Sequence, residues 1–247
     1  MSPSPSKSQV NKAGKTLRRQ LTGAHPPPER DRLVQAGRVL YAFREAHQIP
    51  LVSARTGLAS CIRSEQATAL LLTQRLKRLE TILDKLVREP TMALERMHDI
   101  GGCRAVFLYQ ADVSRVATRF VRNGLIRNGQ ADRVINYITS PRSSGYRAVH
   151  IHTQYQERFV EVQLRTMVQH AWAIIVEAAS SATGIDVKNG DGGDEAQRYL
   201  RDLGARWAAH EVRLGPATAP DPDWLYAALE TAAEDLIACV AGTGELP

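Results

Sequence analysis

The sequence predicts an α+β fold in which a mixed sheet is covered by helices. Three observations carry that expectation. Apolar residues recur at three- and four-residue steps near both ends of the chain. In the middle, the period falls to two over short segments rich in strand formers. Helical and strand patterns are interspersed within 247 residues, a length that suits one domain with appendages.

Residues 1–28 are rich in Pro, Ser, Lys and Arg and end in Pro26-Pro27-Pro28, a composition that predicts a mobile basic tail. From Glu29 to about His47, Leu33, Val34, Val39, Leu40 and Phe43 read as a helix. A second helix is expected from about Glu65 to Arg88, where Leu72, Leu76, Leu79, Leu83 and Leu86 form one stripe that Pro90 stops. Cys103–Tyr109 reads as a buried strand, and residues 113–123 as a helix ended by Asn123-Gly124. Two alternating strands follow, Arg147–Tyr155 and Phe159–Arg165, joined by a polar turn containing Gln156 and Glu157. Met167–Ala179 is a further helix, 189–194 a glycine-rich loop, and 195–212 and 223–240 the closing helices. The expected layout is therefore a tail over 1–28 and one domain over 29–247, with its core at 65–180.

Composition excludes several classes of function. The apolar runs are far too short to span a bilayer, and the first residues lack the apolar stretch of a secretory signal. Cys61, Cys103 and Cys239 are odd in number and scattered, which speaks against a disulfide framework or zinc site and for a reducing cytoplasm. Through Leu40 there are eight Lys and Arg against two acids, while the remainder carries 24 of each sign. All of the net charge of +6 thus lies in the first forty residues, either as a phosphate-binding arm or as a solubilising segment.

Chemistry concentrates in three places. If the last two strands pair, Val160, Val162 and Leu164 share one face, while Glu161, Gln163 and Arg165 share the other with His150, His152 and Gln154. Tyr146 and Arg147 approach that polar face from a Ser-Ser-Gly turn. The segment before Pro90 carries Arg75, Lys77, Arg78, Lys85 and Arg88, donors of the kind a triphosphate needs. Asp99-Ile-Gly-Gly-Cys-Arg104 lies at a strand entrance, where the glycines permit a bulge that would turn Asp99 and Arg104 to one side. Asp99 and Glu161 could then hold Mg²⁺, which prefers carboxylate and phosphate oxygens. The His98-Asp99 dipeptide lacks the upstream ligands of a metal-dependent phosphohydrolase, since only His25 and His47 precede it.

Taken in order, Arg75-Leu-Lys77 with Thr81, Lys85 and Arg88, Asp99-Ile-Gly-Gly-Cys-Arg104, Tyr137-Ile with Pro141, Gly145-Tyr146-Arg147-Ala-Val-His150, Glu161-Val-Gln163-Leu-Arg165-Thr166 and His170-Ala-Trp172-Ala resemble the synthetase domain of the RelA/SpoT family. The resemblance implies a nucleotidyltransferase-like sheet of about five strands, mainly antiparallel, with helical extensions at both ends. It implies an ATP-dependent pyrophosphokinase in which Arg75 and Arg104 sandwich the adenine, and Lys77, Thr81, Lys85 and Arg88 hold the phosphates. Asp99 and Glu161 are the implied Mg²⁺ ligands, and Glu161 is the implied acceptor of the 3′-hydroxyl proton. Tyr146, Arg142, His150, Gln163 and Arg147 are the implied acceptor side.

The departures from the family pattern bear on the acceptor. Thr81 stands where many members have Ser, Asn136 where Asp is usual, and Glu177 one residue beyond the familiar Glu, whose place is Val176. The continuation through Lys188 and Glu195 resembles a branch that includes toxic small alarmone synthetases. Three readings follow: a (p)ppGpp synthetase using GDP or GTP, a toxin that pyrophosphorylates the 3′ CCA end of tRNA and has an antitoxin partner, and an inactive nucleic-acid-binding module. Small members of the family often assemble into homo-oligomers.

Overall fold

A computed structural model describes residues 4–126 and 131–242 of the chain, with the side chains of 124–126 and 131–132 outside that description. Eight α-helices and five strands are described: α1 (Lys7–Leu21), α2 (Arg30–Glu45), α3 (Gln48–Ser64), β1 (Ala69–Leu76), α4 (Leu79–Arg88), β2 (Gly101–Phe107), α5 (Gln110–Ile126), β3 (Ala131–Asn136), β4 (Val149–Tyr155), β5 (Arg158–Thr166), α6 (Met167–Thr183), α7 (Gly193–Leu214) and α8 (Pro222–Ala241). The strands form one sheet in the order β1-β2-β5-β4-β3, with β2 and β5 parallel and every other neighbour antiparallel. The expected α+β fold with a mainly antiparallel sheet is therefore present.

Strand alternation divides the sheet as the sequence predicts. Cys103, Ala105 and Phe107 of β2, Val160, Val162 and Leu164 of β5, and Val149 and Ile151 of β4 are buried against α3 and α5. Residues Gln156 and Glu157 join β4 to β5 in a two-residue turn, both with positive φ, 47° and 63°. Left-handed backbone at both positions matches the twist of the hairpin it closes. A second core joins α6, α7 and α8, and a third joins α1, α2 and α4. Thr166 and Gln169 form a capping box that starts α6 immediately after β5. The hairpin therefore runs directly into α6 without an intervening loop.

Four expectations need correction. Residues 7–21 of the supposed tail are helix α1, capped by Ser6 with Gln9 and packed through Val10, Ala13 and Gly14. The Ser-x-x-Gln box and the 10, 13, 14, 17 apolar spacing were present in the sequence, but the polar composition outweighed them. Residues 1–3 lie outside the described residues. The single helix expected over 65–88 is a strand followed by a helix, β1 and α4. A step of four is even, so Leu72 and Leu76 share a face in a strand as they do in a helix. The pattern could not separate the two forms, and pairing with β2 decided for the strand.

At the Gly-Gly segment, β2 runs in unbroken register with both neighbours, Gly102 opposite Glu161 and Arg104 opposite Gln163. The expected bulge is absent there, and Asp99 instead occupies the turn before the strand. Helix α5 passes through Asn123-Gly124 and is described as far as Ile126. Strand β3 and helix α3 were not individually expected.

Candidate active site

The polar face gathers most of the singled-out residues. Pairing in register places Arg75 opposite Gly102, Glu161 opposite both Gly102 and His152, and Gln163 opposite both Arg104 and His150. Residues directly opposite in neighbouring strands share a face. One surface therefore runs across four strands from Arg75 through Arg104, Glu161 and Gln163 to His150 and His152.

Glu161 is the hub. Its Oε1 accepts from His150 Nδ1 at 2.8 Å and lies 3.5 Å from His152 Nε2, while its Oε2 accepts from Gln163 Nε2 at 2.6 Å. Burial works to raise its pKa, but the histidine and glutamine donors outweigh burial and hold the carboxyl well below the usual carboxylate range. Tyr146 Oη lies 2.8 Å from His150 Nε2, and Arg165 Nη2 donates to Gln163 Oε1 at 2.8 Å. One hydrogen-bonded chain thus links Tyr146, His150, Glu161, Gln163 and Arg165.

Asp99 faces the cations Lys77 and Lys85. Lys77 Nζ lies 2.9 Å from its Oδ2 and Lys85 Nζ lies 3.1 Å from its Oδ1. Burial pushes the Asp99 pKa up, but the two lysines overcome it and leave the carboxyl below its ordinary value. Asp99 and Glu161 lie close enough to feel each other's charge. Helix α4 supplies Lys85 because Ile82 and Leu86 bury its other face completely. Thr81 and Arg88 fall on the Lys85 side, at i−4 and i+3. Arg88 reaches outward, 4.0 Å from Asp186.

Around Tyr146, the Arg142 guanidinium lies 5.7 Å from the ring centre and 4.7 Å from that of Tyr137. Arg165 approaches Tyr146 at 5.7 Å, and Trp172 meets it edge-on at 5.9 Å. Arg165 is only 2% exposed, and its Nε and Nη1 find no hydrogen-bond partner among the described residues. Burial and the positive Arg165 and Arg104 hold His170 at a pKa of about 4. A site so rich in desolvated cations is built to receive anionic oxygens.

Two sequence-derived expectations gain detail here. Arg147 is not brought into the Glu161 cluster: its Nη1 donates to the Ile138 carbonyl at 2.7 Å, and it lines a small cavity with Gln169, Trp207 and Glu211. Val176 is a core residue, whereas Glu177 lies 3.9 Å from Lys188. Lys188 and Arg165 were not assigned roles from sequence. Alternation marked Arg165, but nothing in the local pattern marked Lys188, which a loop beyond α6 brings in.

As for Mg²⁺, the carboxylate pair fits it. Two ionised oxygen donors share the site, and no group of three or more acidic, histidine or cysteine ligands forms among the described residues. Mg²⁺ commonly takes one or two carboxylates and completes its shell with substrate phosphates and water.

The mixed-sheet fold is shared with small alarmone synthetases of known structure. The crystal structure of small alarmone synthetase 1 from Bacillus subtilis, bound to its product pppGpp, superposes with a TM-score of 0.57, covering 73% of this chain and 94% of that one at 21% identity. A GTP pyrophosphokinase family protein from Streptococcus pneumoniae gives 0.55, covering 75% and 96% at 23% identity. That likeness is one of fold. Residues 74–181 match the family model described as the region found in RelA/SpoT proteins. An uncharacterised Mycobacterium tuberculosis protein is 34% identical over 127 residues, 51% of this chain and 45% of its own length. The GTP pyrophosphokinase YjbM of Bacillus subtilis is 32% identical over 114 residues, 42% of this chain and 52% of its own length. The matches span about half the length of these curated relatives.

Proposed function

We propose that this chain is an ATP-dependent pyrophosphokinase that transfers the β,γ-diphosphate of ATP to the 3′-hydroxyl of GDP or GTP and releases AMP. The observation that carries this reading is the pairing of ionised Asp99 and Glu161 on a face otherwise lined with cations. The name of the YjbM relative and the product bound to small alarmone synthetase 1 support the same chemistry.

Arg75 and Arg104 are diagonal neighbours across the β1–β2 ladder. Such neighbours stand about 7 Å apart, room for one flat base between two guanidinium planes. Lys77, Thr81, Lys85 and Arg88 receive the phosphates, the lysines exchanging Asp99 for phosphate oxygens. Asp99 and Glu161 would hold Mg²⁺, which would supply charge neutralisation at the phosphate oxygens. Tyr146, beside Arg142, His150 and Gln163, stacks on the acceptor base. The acceptor's 3′-oxygen attacks the β-phosphorus, and the bond from that phosphorus to the bridging oxygen of AMP breaks. Glu161, buried and kept ionised by its hydrogen bonds, orients the 3′-hydroxyl and takes its proton as the new bond forms. Little more is needed, because phosphoryl transfer depends mainly on positioning and charge stabilisation.

One observation favours a second reading, in which the 3′ end of tRNA is the acceptor. Helix α1 is ordered, contains no acid, and exposes Lys7, Lys12, Lys15 and Arg19. Such a surface suits RNA phosphates, which supply affinity without sequence preference.

The test uses γ-³²P-labelled ATP and Mg²⁺ with GDP, GTP and deacylated tRNA offered separately. Label on a guanine nucleotide together with AMP release supports the first reading, and label on tRNA alone replaces it with the second. Transfer to none of them would overturn both and leave an adenosine nucleotide as acceptor or the inactive-module reading.

A further inference from the structure

Helix α4 ends at Arg88, and its last carbonyls need donors that the helix cannot provide. A residue 68 positions away in sequence supplies one. Arg18 of α1 donates through Nε to the Leu86 carbonyl at 2.6 Å, and through Nη2 to the carbonyls of Met92 at 2.6 Å and Glu89 at 3.4 Å. Its one guanidinium therefore spans the final turn of α4 and the reversal that follows.

The rest of α1 is built to hold that contact. Val10 is fully buried, and Gly14 lies so close to the short 3₁₀ turn Leu94–Arg96 that an added Cβ would sit 2.8 Å from Leu94 Cβ. Asn11 accepts from the Glu95 amide at 3.3 Å. A positive side chain at a helix C-terminus is also favourable to the helix dipole. Helix α4 is thus fastened at two ends of its functional half: Lys85 to Asp99 on the sheet side, and Leu86–Glu89 to Arg18 on the far side. Arg88 lies between those fastenings.

We infer that Arg18 is a positioning residue for ATP: it fixes the last turn of α4 so that Lys85 and Arg88 present their charges to the triphosphate together. The inference rests on the ATP-side roles given under Proposed function. It recasts the basic N-terminal segment as a part of the site's scaffold. It also separates the two substrates, because Tyr146, His150 and Gln163 on the acceptor side hang from β4, β5 and the preceding turn, away from α4.

The experiment compares the full chain with Arg18→Ala, Arg18→Lys and Arg38→Ala, the last a charge-matched control at an exposed position on α2. Binding of a non-hydrolysable ATP analogue with Mg²⁺ is measured by calorimetry. KM is measured for ATP and for the guanine acceptor, and hydrogen exchange is followed over residues 86–92. The expected result for Arg18→Ala is affinity for the analogue about tenfold weaker, a matching rise in the KM for ATP, an acceptor KM within about twofold, and faster exchange over 86–92. Arg18→Lys, which keeps the charge and can serve fewer of the three carbonyls, should recover part of the loss and serves if the alanine variant does not fold. Wild-type affinity in Arg18→Ala would overturn the inference and leave the ATP site intact. Equal loss of ATP and acceptor affinity with a lowered Tm would reduce Arg18 to a fold contact. A parent chain that binds no analogue would overturn the ATP-side assignment and this inference with it.

Discussion

Replacing Gly204 by alanine offers a sharp test of how the proposed acceptor side is built. Gly204 lies on α7 against the turn that carries Tyr146, and a Cβ there would stand 2.6 Å from the Gly145 carbonyl oxygen and 3.2 Å from the Gly145 Cα. The obstructing atoms are backbone, so no side chain can swing aside. An ordinary contact needs a displacement of roughly 0.8 Å, taken up by α7 or by the turn. Overpacking of this kind costs about 1–3 kcal/mol. In a chain of this size that corresponds to a Tm lower by roughly 2–12 °C. The neighbouring glycine has little freedom to absorb the strain, because Gly145 has a φ of +88° and its own added Cβ would meet the Leu200 carbonyl at 2.7 Å. The displaced turn carries Tyr146 away from Trp172 and His150, so the KM for the acceptor should rise about tenfold while the KM for ATP changes little. Thermal unfolding and initial rates with each substrate varied in turn provide the assay. A Gly204→Ala variant with unchanged Tm and unchanged acceptor KM would refute the close approach; a lowered Tm with equal effects on both substrates would refute its link to Tyr146.

Three further outcomes are expected. Glu161→Gln keeps the size of the hub but loses its charge and turns one of its two acceptor oxygens into a donor, so diphosphate transfer should fall at least about a hundredfold with ATP-analogue binding retained, as read by label transfer and calorimetry. His47 is 1% exposed, hydrogen-bonded through Nδ1 to the Phe43 carbonyl at 2.8 Å, and lowered by burial to a pKa of about 4. The folded state refuses a proton that the unfolded state accepts near pH 6.5, so stability is full above that pH and declines as pH falls toward 4, by up to about 3 kcal/mol; urea midpoints of His47→Gln should show a shallower loss over this window. Asn136 accepts from the amides of Ile138 and Thr139 at 3.0 and 3.3 Å, a turn that aspartate forms equally well. Asn136→Asp should therefore leave stability within about 0.5 kcal/mol by thermal unfolding.

Alternation made the hairpin of β4 and β5 legible, because a period of two assigns each side chain to a face without knowledge of the partner strand. For the same reason the sequence alone places Glu161, Gln163, His150 and His152 on one face. The helix stripes of α2, α6, α7 and α8 were similarly readable, since each buries one continuous face. Where residues 65–88 failed to resolve into a strand and a helix, both periods fit the same leucines, and only the ladder to β2 distinguished them.

By itself, then, the sequence determined the kind of fold and the chemical character of its polar face, because periodicity and residue type are local properties. Only the tertiary structure decided that Asp99 holds two lysines, that Arg147 leaves the Glu161 cluster, and that the basic N-terminal segment is a packed helix gripping the end of α4. Each of these depends on contacts between residues far apart along the chain. Their free energy comes from ion pairing, burial and satisfied carbonyls that no local pattern encodes.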